Sequence, residues 1–282
     1  METETMNDKK DRYLELLKQV LTDYHRVECP EYRPIHAPHS FSRTSTSRII
    51  NLLDGWLMKK GFFICQKVEV DSYRRLTGRD WPTRGETMIG MKRLDNLEYC
   101  ISEVIKNNVE GDLIETGVWR GGATIFMKAL LNAANDQKRV VWVADSFEGL
   151  PKPEDKYAAD KGDELHKYRE LAIPLAEVRR NFEKYGLLDE RVKFLKGWFK
   201  DTLPAAPIAK LAVMRLDGDM YQSTMDGLVN LYPKLSKGGF AIIDDYLLPP
   251  CRQAVQDFRQ KNNITEEIIP IDEVAVFWKR KN

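Results

Sequence analysis

From residue 92 onward the chain alternates two hydrophobic rhythms. Between Leu94 and Asn108 the apolar side chains fall at Leu94, Leu97, Ile101, Val104 and Ile105, the spacing of one face of a helix. Next comes Gly111–Gly117, a short apolar run that predicts a strand, and then a helical pattern over Gly122–Ala134. Further strands are predicted at Arg139–Asp145, Arg191–Leu195, Leu211–Asp217 and Gly239–Asp244. Helices are predicted near Pro174–Tyr185, at Thr224–Leu235 and at Arg252–Lys261. Two last strand-like runs, Glu267–Asp272 and Val274–Lys279, are separated by Glu273 alone.

Strands divided by helices imply a parallel sheet covered on both faces. The last two runs have no helix between them, so they should pair antiparallel at one edge. The expected fold is α/β and Rossmann-like: a mostly parallel seven-stranded sheet ending in an antiparallel hairpin. Residues 1–85 read differently. Asp11–Tyr24 and Ile49–Met58 carry helical patterns, Phe62–Val70 a strand pattern, and Pro30, Pro34, Pro38 and the Ser/Thr-rich run Ser40–Ser47 interrupt them. This mainly helical stretch is expected to be an N-terminal extension packing on a main domain of residues 86–282. No internal repeat is visible.

Composition adds a few exclusions. Hydrophobic residues make up 43% of the 282, enough for a substantial core. Lys and Arg number 44 against 43 Asp and Glu, so no global field favours nucleic acid or an anionic membrane. No run approaches the ~18 apolar residues of a membrane span, and the polar N-terminus does not resemble a signal peptide. A soluble, cytoplasmic protein is expected. Cys29, Cys65, Cys100 and Cys251 are scattered without zinc spacing, and His36 and His39 flank Pro38 in a loop-like stretch. Both sets read as ordinary side chains.

The chemistry concentrates at the C-terminal ends of the strands, where open parallel sheets bind ligands. Those ends carry Glu115, Asp145, Asp217 and the pair Asp244-Asp245. Glycines at Glu115-Thr-Gly117-Val-Trp-Arg-Gly121-Gly122 let the backbone approach a ligand. The turn is not a dinucleotide fingerprint, and its carboxylate suits a ligand bearing an ammonium group. Asp145 occupies the position that accepts hydrogen bonds from ribose hydroxyls. Aromatic residues in Gly197-Trp198-Phe199 could flank a purine. A bend at Gly218 could turn Asp217 and Asp219 toward one centre with Asp244 and Asp245. So many carboxylates call for a cation, and Mg²⁺, an octahedral oxygen-binder, suits them.

Seven ungapped stretches carry a resemblance: Glu86-Thr-Met-Ile-Gly90…Arg93-Leu-Asp-Asn96, Leu113-Ile-Glu-Thr-Gly-Val-Trp-Arg-Gly-Gly-Ala-Thr124, Ala144-Asp-Ser-Phe-Glu-Gly-Leu-Pro151, Tyr185-Gly-Leu-Leu-Asp189, Gly197-Trp-Phe-Lys-Asp-Thr-Leu-Pro204, Arg215-Leu-Asp-Gly-Asp-Met-Tyr221 and Ile243-Asp-Asp-Tyr246. Over roughly 66–282 they resemble the macrocin O-methyltransferase family, leaving residues 1–65 outside. The resemblance implies a class I methyltransferase fold and methyl transfer from S-adenosylmethionine to a sugar hydroxyl of a glycosylated natural product, with Mg²⁺. It implies metal ligation by Asp217, Asp244 and Asp245, and Asp219 as general base. Thr87, Met88, Glu115, Gly117, Asp145, Ser146, Trp198 and Asp217 match the family's cofactor site. Gln222 departs from it, standing where Glu is expected.

His166 is a competing base, since its unperturbed pKa is about 6.5. Residues 147–173 form a connection far longer than the ~2–6 residues usual between strand and helix, and are expected to close as a lid. The expected partners are a small glycosylated acceptor and further copies of the chain in a homo-oligomer, not nucleic acid or membrane. Three readings compete: a metal-dependent catechol or phenol O-methyltransferase, a nicotinamide-dependent oxidoreductase, and a non-catalytic binding protein.

Overall fold

The computed structural model describes residues 6–34 and 48–281. His36, His39, Pro38 and the whole Ser/Thr-rich run Ser40–Ser47 lie outside them. Helix α1 (Met6–Leu21) is followed by strand β1 (Glu31–Pro34), helix α2 (Arg48–Met58), strand β2 (Cys65–Val68) and the short α3 (Ser72–Leu76). Strands β1 and β2 pair antiparallel with each other, apart from the main sheet. Buried Leu14, Leu17 and Leu21 of α1 join the same core cluster as the helices that follow.

Those helices are α4 (Gly90–Lys106) and α5 (Gly122–Ala133), with strand β3 (Asp112–Thr116) between them. Then come β4 (Val141–Asp145), α6 (Leu175–Lys184), β5 (Val192–Lys196), α7 (Phe199–Thr202), β6 (Leu211–Leu216), α8 (Tyr221–Leu231), β7 (Leu235–Ile243), α9 (Pro249–Lys261), β8 (Ile269–Pro270) and β9 (Val276–Lys279). The main sheet has seven strands in the order β5-β4-β3-β6-β7-β9-β8. The first five run parallel, and β9 is antiparallel to both neighbours. The last strand therefore inserts between β7 and the two-residue edge strand β8. Its insertion buries Trp278 completely, where one large apolar side chain contributes about 1.5–3 kcal/mol.

Period-2 alternation along the strands feeds two cores. Leu113, Val213, Phe240 and Ile242 face one layer, while Ile114, Met214, Ala241 and Ile243 face the other. Several element boundaries differ from the sequence pattern, and two of them lie on the elements that carry the site. Strand β7 starts at Leu235, where Leu235 pairs with Leu211 before a register shift. Helix α8 starts at Tyr221 rather than Thr224, because Asp160 caps it from a distant segment, accepting from the N–H groups of Tyr221 (2.6 Å) and Gln222 (3.0 Å). Among the described residues no helix is long and apolar enough to cross a membrane.

Candidate functional site

One cavity opens beyond the C-terminal ends of β3, β4, β6 and β7. Its walls include Thr87, Met88, Glu115, Gly117, Asp145, Ser146, Trp198, Asp217, Asp219, Asp244 and Asp245. Every cofactor-site and metal-site residue expected from the sequence therefore meets there, as does Asp219. His166 does not line the cavity; its neighbour Leu165 does, from the short helical turn Leu165–Lys167.

The glycine turn is built by close approach. Gly117 has φ +80°, and a β-carbon there would sit 1.8 Å from the Asp217 carbonyl oxygen, so no other residue fits this crossing of β3 and β6. Asp145 secures the turn from β4: its carboxylate accepts from Val118 N–H at 2.8 Å and Phe147 N–H at 2.7 Å. Burial pushes the Asp145 carboxyl up, and the backbone donors oppose that shift. Thr87 and Met88 follow a latched segment. Arg120 donates to the carbonyls of Pro82 and Thr83 (both 3.2 Å) and of Gly85 (2.9 Å). Glu86 accepts from Lys184 (2.6 Å) and Tyr185 (2.7 Å).

Two buried arginines, which the sequence reading passed over, organise the acidic floor. Arg215 lies inside β6 with 1% of its surface exposed, and its guanidinium donates to Glu115, Asp217 and Asp244. Arg93 on α4 donates to the other Asp244 oxygen at 2.7 Å and to Asp272 at 2.8 Å. The signal was available: an arginine inside an otherwise apolar strand must find buried partners.

The arginines do not neutralise the floor. Glu115 is 2% exposed, and its Oε2 is buried without a hydrogen-bond partner. Burial raises its pKa to about 7, with Arg215 pulling down and Asp244 pushing up. Asp217, Asp244 and Asp245 bring one oxygen each within 4.8 Å of one another. Burial, then the neighbouring carboxylates, hold Asp217 and Asp245 well above the usual range. Burial and Asp217 likewise push Asp219 up to about 8. Such a set suits a hard divalent cation, which would supply the missing positive charge. The bend that gathers it lies at Asp219, with φ +54°, rather than at Gly218. Asp219 N–H donates to Asp245 Oδ2 at 3.0 Å, which supports that left-handed conformation.

Residues 147–173 lie across the cavity and are tied down at several points. Ser146 Oγ donates to Gly149 O (2.7 Å), Trp119 Nε1 to Glu170 O (2.9 Å), and Asp160 caps α8. Leu150, Pro151, Leu165 and Leu171 from this segment face the cavity.

Residues 10–280 match the family model described as Macrocin-O-methyltransferase (TylF). The match thus reaches back into α1, well before residue 66, where the motif resemblance begins. The chain is 49% identical over 274 residues to 8-demethyl-8-(2,3-dimethoxy-alpha-L-rhamnosyl)-tetracenomycin-C 4'-O-methyltransferase of Streptomyces olivaceus, covering 96% of this chain and 94% of the relative. It is 57% identical over 209 residues to demethyldecarbamoylnovobiocin O-methyltransferase of Streptomyces niveus, covering 73% and 80%. Among solved structures, the O-methyltransferase NovP superposes with a TM-score of 0.82 at 45% identity, covering 97% of this chain and all of that one.

Proposed function

The chain belongs to the macrocin O-methyltransferase family, and on that premise we propose that it transfers a methyl group from S-adenosylmethionine to a hydroxyl of a sugar on a glycosylated natural product, with the help of Mg²⁺. The observation that carries this reading is the meeting, in one cavity, of the unpaired Glu115 oxygen with the Asp217, Asp244 and Asp245 cluster. Its two relatives named above act, by their names, on a rhamnosyl-bearing tetracenomycin and on a novobiocin precursor. Both support a natural-product acceptor.

In this reading Glu115 Oε2 receives the ammonium of the methionyl group, and its Oε1 stays with Arg215. Asp145 accepts the ribose hydroxyls with lone pairs that its backbone donors leave free. Trp198 flanks the adenine, while Thr87, Met88, Gly117 and Ser146 close around the donor. Asp217, Asp244 and Asp245 would hold Mg²⁺. When bound, S-adenosylmethionine supplies an electrophilic methyl and Mg²⁺ a Lewis acid that favours loss of the hydroxyl proton. Asp219, ionised once a cation's charge offsets its burial and its carboxylate neighbours, would take that proton as the methyl is transferred. Asp219 is preferred over His166 because it faces the cavity.

Residues 147–173 act as the lid, and residues 1–85, carried on α1, help cover the acceptor. A cytoplasmic homo-oligomer belongs to the same proposal; the exposed apolar side chains of Trp56, Phe62 and Phe63 favour self-association. Sedimentation velocity would read the assembly directly. The deciding experiment incubates the chain with methyl-labelled S-adenosylmethionine and rhamnosylated acceptors of the tetracenomycin type. Label should enter a sugar hydroxyl, stop with EDTA and resume with Mg²⁺. Transfer that survives EDTA, or label on an aglycone phenol, would overturn the reading.

A further inference from the structure

One corner of the cavity is polar and takes no part in the roles above. Helix α8 turns Gln222 and, one turn later, Asp226 toward the cavity. Gln222 is 3% exposed. Its Nε2 donates to Glu154 Oε1 at 3.0 Å. A carboxylate can only accept, so this bond fixes which end of the amide faces Glu154. The opposite atom, Gln222 Oε1, is buried with no hydrogen-bond partner. The Asp226 carboxylate receives no hydrogen bond among those found in the described residues, and burial raises its pKa to about 6.

Both groups lie at the aromatic end of the cavity. Glu154 Oε1, which holds Gln222, also accepts from Lys200 at 2.8 Å, and Lys200 lines the cavity beside Trp198 and Phe199. Lys200 and Lys156 both pair with Glu154 and reach Asp226 only through their charge, which opposes the effect of burial. What remains is a pair of acceptors without a hydrogen-bond donor, and for Gln222 Oε1, which is fully buried, that is costly. The complementary group is a flat ring carrying an exocyclic amino group, with two N–H bonds. A ring bearing a carbonyl at that position would set oxygen against oxygen.

We propose that Gln222 and Asp226 form the base-reading edge of the donor site, where Gln222 Oε1 and the Asp226 carboxylate accept the two N6 hydrogens of adenine. This rests on the reading of the cavity as an S-adenosylmethionine site. Glu154, on the lid, positions Gln222 and so ties base recognition to lid closure.

Isothermal titration calorimetry on the full chain tests this with S-adenosylhomocysteine and S-inosylhomocysteine, which differ at the base edge. The wild type should prefer the adenosyl ligand by about tenfold or more. In Gln222→Leu that preference should fall about tenfold, through weaker adenosyl binding with inosyl binding little changed. Asp226→Ala should reduce it in the same direction. Equal weakening of both ligands in these variants would mark a merely structural role and overturn the proposal, as would a wild type that binds the two alike. A wild type that binds neither ligand would instead remove the donor reading on which the proposal rests.

Discussion

The ends of β3 and β4 and the ends of β6 and β7 carry the same residue type and treat it in opposite ways. On the β4 side, Asp145 is held by backbone N–H groups, and Glu115 has Arg215 on one oxygen. Each keeps some accepting capacity for an organic ligand. On the β6–β7 side, Asp217, Asp219 and Asp245 crowd one another around Asp244, and the arginines engage only Asp244 and one oxygen of Asp217. Carboxylates satisfied by the chain make a recognition surface. Carboxylates left in mutual repulsion have the chemistry that suits a cation, which is the role proposed for them.

The comparison breaks most completely if the cation side is emptied. Asp245→Ala should lower Mg²⁺-dependent methyl transfer on the order of 10³-fold, while S-adenosylhomocysteine affinity measured by calorimetry stays close to wild type. Removing the bridge between the halves should instead cost stability. Arg215→Met strands Glu115, Asp217 and Asp244 without their shared partner, and urea unfolding should lose about 3–5 kcal/mol. Asp219→Asn sharpens the division within the acidic side: single-turnover rates should fall about 10²–10⁴-fold with donor binding intact.

A pH series separates the halves more gently. Glu115 sits near 7 without ligand and must be ionised to face an ammonium. S-adenosylhomocysteine affinity should therefore rise from pH 6 to pH 8, by up to about tenfold per unit below 7. Glu115→Gln should weaken binding and flatten the profile. The same shift bears on folding. Because the folded value lies above the ordinary 4.5, its contribution is full below about pH 4.5 and is lost as pH rises toward 7. The smallest effect is expected at His166. Outside the cavity lining, His166→Asn should leave the rate within about twofold of wild type.

Much of this was legible along the chain. The apolar periods of β3, β4 and β6 set the sheet, and the acidic residues at strand ends marked where ligands bind. The end of α8 nearest the site was less legible. Its first turn is capped by Asp160, some 61 residues earlier in sequence, and no local pattern encodes such a partner. The departure at Gln222 was visible as a missing charge, but not its meaning. Glu154 lies 3.0 Å from its amide, so a glutamate there would face another carboxylate.

The sequence by itself determined which residues line up on each strand and which acids crown the strand ends, because period-2 burial and chain order leave little choice. Only the tertiary structure decided how those acids are divided. Arg215 and Arg93 come from a strand and a helix far apart in sequence, yet they meet on the two oxygens of Asp244. Long-range pairing of buried charges depends on distance in space, which spacing along the chain does not record.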